Sequence, residues 1–89
     1  MADFSDASIL QRGDALTLRH WDESDAVDGE LHTRPYETVG YVLSGTVEVT
    51  VDGETTSYGE GDSYLVPGGA ERKYNVTSHL RAVEAISKA

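Results

Sequence analysis

Few side chains in this 89-residue sequence can do chemistry. There is no Cys, which removes thiolate nucleophiles, thiolate metal ligands and disulfides together. The imidazoles are His20, His32 and His79. Imidazole is the side chain whose ordinary pKa, about 6.5, suits proton transfer near neutrality, and its lone pair suits transition metals. His20 continues an alternating apolar run and reads as a packing residue, and His79 falls in a loop-like Thr77-Ser78-His79 break. Ser, His and Asp are all present, yet no spacing assembles them as a nucleophile with its base. Gly59-Glu60-Gly61 lacks the third Gly and the following helix of a phosphate-binding fingerprint. Asn75-Val76-Thr77 matches a glycosylation acceptor with no secretory leader to accompany it. His32 remains, in a segment that also holds Glu30, Arg34, Glu37 and Thr38.

Composition narrows what such residues could serve. Sixteen Asp+Glu against seven Lys+Arg give a formal net charge of −9. That field repels phosphate backbones and anionic lipid, so neither nucleic acid nor a membrane is an expected partner. The acidity suits a salt-rich cytoplasm or ordinary solubility charge on a small domain. No run approaches the ~20 apolar residues of a membrane span. The opening residues, MADFSDASILQRGD, lack the basic start and apolar run of a leader, so a cytoplasmic location is expected. No cofactor is expected.

Strands hold these residues in place. Residues 15–21 alternate, with Leu16, Leu18 and His20 on one face and Thr17 and Arg19 on the other. Residues 38–43 form a strand ending at a Ser44-Gly45 hairpin turn, and 46–51 place Val47, Val49 and Val51 on one face. Asp52-Gly53 is a type I′ hairpin signal, because both central positions tolerate positive φ. Strands follow at 54–58 and 63–66, separated by a Gly59–Asp62 turn; Pro67 ends the latter because it cannot donate to a ladder. Two more are expected at 71–76 and 80–86, while Trp21 to Gly29 reads as a loop. Glycines often recur at eight-to-ten-residue intervals, as in an all-β sandwich or barrel. A single domain over 1–89 is expected, with a barrel core over about 15–86.

Two segments carry a family resemblance. One is His32-Thr33-Arg34-Pro35-Tyr36-Glu37-Thr38-Val39-Gly40-Tyr41-Val42-Leu43-Ser44-Gly45; the other runs from Gly61 to Arg72, with Gly61, Pro67 and Gly69 in fixed spacing. Together they resemble the two motifs of the cupins. The resemblance implies a small antiparallel jelly-roll barrel (a double-stranded β-helix), often dimeric, with a central pocket that in most members holds Fe, Mn, Zn or Ni. Counting from Gly45 and Gly69, the four ligand positions of that family fall on His32, Arg34, Thr38 and Arg72. Guanidinium has no free lone pair and stays protonated, so no conventional metal site is expected. A shifted register would make Glu30, His32 and Glu37 a ligand set; it places Ser44 where the motif has Gly.

The resemblance turns Arg34 and Arg72 inward, and two guanidiniums inside an acidic protein need compensation. One reading is an anion site: a carboxylate or phosphate between the two forks, with His32 and Thr38 adding hydrogen bonds and Tyr74 lining the wall. The other is an internal ion-pair network in which Glu84 or Glu30 neutralises the arginines. The expected function is therefore small-molecule binding of an anionic ligand by a homodimeric barrel. The alternatives are an enzyme on a small anionic substrate, metal-dependent or using His32 as acid or base (an isomerase, lyase or dioxygenase), and an assembly domain with no ligand.

Overall fold

The computed structural model describes residues 8–87. The first residues of the stretch read as lacking a leader, 1–7, and residues 88–89 at the end of the expected domain lie outside it. The described chain is all antiparallel β: β1 (Ser8–Arg12), β2 (Leu16–Glu23), β3 (Val27–Asp28), β4 (His32–Thr33), β5 (Thr38–Val51), β6 (Glu54–Gly59), β7 (Ser63–Val66) and β8 (Glu71–Ser87). The long strands β5 and β8 pair along most of their length and organise two layers. The late half of β8 and early half of β5 lie between β2 and β7, with β1 outside β2. The early half of β8 and late half of β5 lie between β3 with β4 and β6. This is the expected jelly roll.

Three local expectations change. Ser44-Gly45 is not a hairpin turn. The strand runs through it, and register shifts between Val42 and Ser44 and between Gly45 and Val47 mark a bulge that bends β5. Gly45 has φ +82°, and a Cβ there would sit 2.1 Å from the His79 carbonyl oxygen, so no other residue fits the bend. Opposite this bulge β8 likewise runs unbroken through Thr77-Ser78-His79, joining the two expected strands. The Trp21–Gly29 stretch also gives residues to β2 and β3. The Asp52-Gly53 turn is as expected, with φ values of 48° and 88°.

The largest difference concerns which face of β2 is inside. Leu16 and Leu18 are exposed, while Thr17, Arg19 and Trp21 are buried. Inside, Trp21, Val42, Val47, Val49, Tyr64, Val66, Tyr74, Val76, Leu80 and Ala82 form the core. Trp21 meets Tyr74 edge-on across the two layers at 6.1 Å. The polar and charged members of the interior collect near one end, beside the β4–β5 connection.

Candidate functional site

One register row crosses four strands through this interior: Arg19 on β2, Glu84 on β8, Gly40 on β5 and Tyr64 on β7. Period-2 alternation points all four inward together. Arg19 Nε donates to Glu84 Oε1 at 2.8 Å, and its Nη2 lies 2.8 Å from the same oxygen. The Tyr64 hydroxyl donates to Glu84 Oε2 at 2.6 Å. Gly40 makes that last bond possible: a Cβ there would stand 2.1 Å from the Tyr64 ring, so only a glycine lets the ring lie across β5. Burial lifts the Glu84 carboxyl to about 7, against the opposing pull of Arg19 and the Tyr64 hydrogen bond. Burial, with the Glu84 carboxylate beside it, pushes the Tyr64 hydroxyl far up, so it stays a proton donor.

Beside this row lies Arg72, 1% exposed. Its guanidinium is held mainly by backbone oxygens. Nε donates to Ala70 O at 3.3 Å, and Nη2 faces Pro67 O at 2.8 Å, Tyr36 O at 3.2 Å and Arg34 O at 3.4 Å. Nη1 donates to Thr38 Oγ1 at 3.3 Å, and Thr38 is fully buried. Arg72 thus pins the β4–β5 connection to the β7–β8 connection, the two loops that carry the motif residues. Among the described residues no carboxylate ion-pairs with it. Tyr36, half-buried above, has both guanidiniums against its ring, Arg19 at 5.8 Å and Arg72 at 5.7 Å from the centroid.

His32 pairs with Arg72 across β4 and β8, and its ring lies 6.1 Å from that of Tyr74. Its Nδ1 lies 2.8 Å from Glu30 O. A carbonyl only accepts, so Nδ1 carries the proton, and in the neutral ring Nε2 is a lone pair. That Nε2 is buried and has no partner among the described residues. Tyr74 is buried, and burial raises its hydroxyl despite the opposing Arg72.

The expected residues therefore come together only in part. His32, Thr38, Arg72 and Tyr74 share the interior corner. Arg34 does not turn its fork toward Arg72; it is half-buried, and its Nη1 donates to Thr33 O at 2.9 Å. The expected two-fork clamp is not the geometry, because Arg72 directs its donors at Thr38 Oγ1 and at backbone carbonyls of the two loops where they meet. Glu84 does neutralise an arginine, but that arginine is Arg19. Arg19, Tyr36 and Tyr64 were missed: an arginine alternating with leucines reads as the solvent side of a strand. Glu30 and Glu37 are both exposed, so the shifted ligand set is not assembled. Among the described residues no group of three or more His, Cys, Asp or Glu is placed to hold a metal ion. The corner does not fit a cation either, since Arg72 brings a fixed positive charge and hydrogen-bonded carbonyls to the ligand positions. No described helix is long and apolar enough to cross a membrane.

The match to a known family agrees with the layered barrel and its motif loops. Residues 19–87 match the cupin domain, and the chain belongs to that family. An RmlC-like cupin from Shewanella frigidimarina superposes with a TM-score of 0.84 at 23% identity, covering 93% of this chain and 75% of that one. KdgF from Halomonas sp. gives 0.82 at 19% identity, over 93% and 77%. A curated protein, acetate kinase EutQ of Clostridioides difficile, is 28% identical over 51 residues, 57% of this chain and 32% of its own length. The chain thus spans about a third of that relative.

Proposed function

We propose that this cupin binds a small anionic molecule, a carboxylate or a phosphate, at the corner formed by His32, Arg34, Tyr36, Thr38, Arg72 and Tyr74, with Arg19 beneath. One observation carries the reading. The buried charged side chains among the described residues are Arg19, Arg72 and Glu84, and Glu84 is paired with Arg19. The carbonyls around Arg72 satisfy its N–H groups without cancelling its charge. An uncompensated buried cation is costly, and an anion supplies the missing counter-charge. Arg72 acts as a preorganised charge rather than a closing fork, and Arg34 adds a second positive charge at the rim. The similarity to a protein named as an acetate kinase adds acetate to the candidates.

The test is a thermal-shift panel of acetate, malonate, oxalate, inorganic phosphate and sugar phosphates, each beside a neutral analogue such as acetamide. A ligand at 100 times its Kd adds about 2.7 kcal/mol, which raises Tm by about 4–8 °C per kcal/mol in a domain of this size. A selective rise with one or more anions, reduced in Arg34→Ala, supports the reading. No anion effect beyond that of its neutral analogue overturns it.

The unpartnered Nε2 of His32 favours a second, catalytic version of the same site, because a buried lone pair facing a ligand can take its proton. Turnover lost in His32→Gln with binding retained would distinguish it from simple binding. The partner reading is a second copy of this chain. Leu16, Leu18, Val39, Tyr41, Leu43 and Leu65 are each 37–55% exposed, and the row Leu65–Val39–Ala85–Leu18 runs unbroken over the outer face. Such a face is on the order of the several hundred Å² that marks an interaction site.

A further inference from the structure

We infer that anion binding at this corner is coupled to the uptake of one proton by Glu84. The inference rests on the anion reading above and adds its regulation. Glu84 is 1% exposed and lies among every charged or titratable side chain that faces it. From β2 comes Arg19, in direct contact; from β7 comes Tyr64, also in contact. From its own strand come Arg72 and Tyr74, whose charge or hydroxyl acts on it without an ion pair. Gly40, its register partner on β5, and nearby Thr38 carry no titratable group, and the His32 ring on β4 lies 6.1 Å from that of Tyr74.

Two guanidiniums and one carboxylate are therefore buried in the same interior, and the guanidiniums lie 5.8 and 5.7 Å from the centroid of the same Tyr36 ring. An anion arriving at that ring competes with Glu84 for the field of Arg19 and Arg72. With a dianion bound and Glu84 ionised, the corner would hold three negative charges against two positive ones in a medium that penalises each uncompensated charge. Adding a proton to Glu84 removes the repulsion while keeping its hydrogen-bond partners: Oε1 still accepts from Arg19, and the carboxylic acid and the Tyr64 hydroxyl can share a single hydrogen bond in either direction. The balance is ligand anion plus Glu84 carboxylate plus one solvent proton giving bound anion plus Glu84 carboxylic acid. No bond to carbon changes. Because the free carboxyl titrates near neutrality, this cost falls within the physiological range.

Affinity should then be flat on the acid side of neutrality and weaken by up to about tenfold per pH unit on the alkaline side. The experiment is calorimetric titration of the full chain with sulfate and with oxalate, two dianions that do not titrate above neutrality, from pH 6 to pH 9 in buffers of different ionisation heat. Proton uptake near zero at pH 6, rising toward one at pH 8 to 9, is expected. In Glu84→Gln binding should persist without pH dependence. Wild-type binding with less than a twofold change across the range and no buffer-dependent heat overturns the coupling and leaves the anion reading standing. A slope that survives in Glu84→Gln also overturns it, since the proton then belongs to another group. Absence of binding by either anion at every pH overturns the coupling, and absence extended over the full anion panel overturns the anion reading as well. If the variant does not fold, the buffer-dependent heat of the wild type decides alone.

Discussion

Replacing Arg72 by Ala should unfold a large share of this protein's stability, although the residue makes no salt bridge. The cost follows from the carbonyls it leaves behind. Of the four backbone oxygens it serves, Arg34 O also accepts from Gly69 N at 2.8 Å, and Pro67 O accepts from Ala70 N at 3.3 Å. Tyr36 O and Ala70 O lose their described side-chain donor, and Thr38 Oγ1, fully buried, loses its own. Each orphaned buried acceptor costs about 1–3 kcal/mol. The emptied space adds a cavity term of a few kcal/mol, part of which is offset by removal of an unpaired buried charge. A net loss of roughly 3–5 kcal/mol is expected, against a total on the order of 4–13 kcal/mol for a chain this long. Urea titration followed by tryptophan fluorescence reads it directly, with Trp21 as the single reporter. The midpoint should fall sharply at constant m-value. Arg72→Lys should recover little, because one ammonium cannot span oxygens on both loops. A loss below about 1 kcal/mol in Arg72→Ala would refute the role assigned to those hydrogen bonds.

Three further predictions follow from particular contacts. Gly40→Ala puts a methyl into the Tyr64 ring and should cost about 1–3 kcal/mol, read by urea titration, while breaking the Tyr64–Glu84 bond. The Glu84 carboxyl is raised on folding from 4.5 to about 7, so the native state holds the extra proton. Its contribution, on the order of 3 kcal/mol, is complete below pH 4.5 and is lost as pH rises through about 7. A urea midpoint series across that window should show a decline that Glu84→Gln flattens. Sedimentation velocity should give a dimer for the wild type, and Leu18→Lys or Leu65→Lys should give a folded monomer; a wild-type monomer at 100 µM would contradict the proposed use of the outer face.

The fold was legible where local signals and tertiary structure agree. Asp52-Gly53 marks its hairpin because positive φ is needed at both positions, and Val47 and Val49 alternate with Glu48 as a half-buried strand should. Ser44-Gly45 carries much the same local signal but forms a bulge. Whether a Gly with positive φ reverses a strand or bends it depends on the strand across from it, here β8 at His79. The inward face of β2 was illegible for a related reason. Apolar residues normally mark the inside, but here Leu16 and Leu18 lie on the exposed outer face, and Arg19 faces in, with Glu84 opposite it in the register. The site was half legible. The motif spacing located His32, Thr38 and Arg72 in one corner. It carried no information on where Arg72 would send its hydrogen bonds, since those depend on the carbonyl directions of two loops meeting in space.

An anion that completes the positive charge of the corner beneath Tyr36 must perturb both guanidiniums there. The guanidinium Nε–H resonances of Arg19 and Arg72, followed in ¹H–¹⁵N spectra of the wild-type protein during titration with the anion panel, test this most directly. Both resonances should shift with saturation at a common Kd, together with the ring signals of Tyr36, while the exposed Arg81 stays unmoved. If both resonances remain unchanged throughout the panel, or if Arg81 moves as much as Arg72, the claim is contradicted.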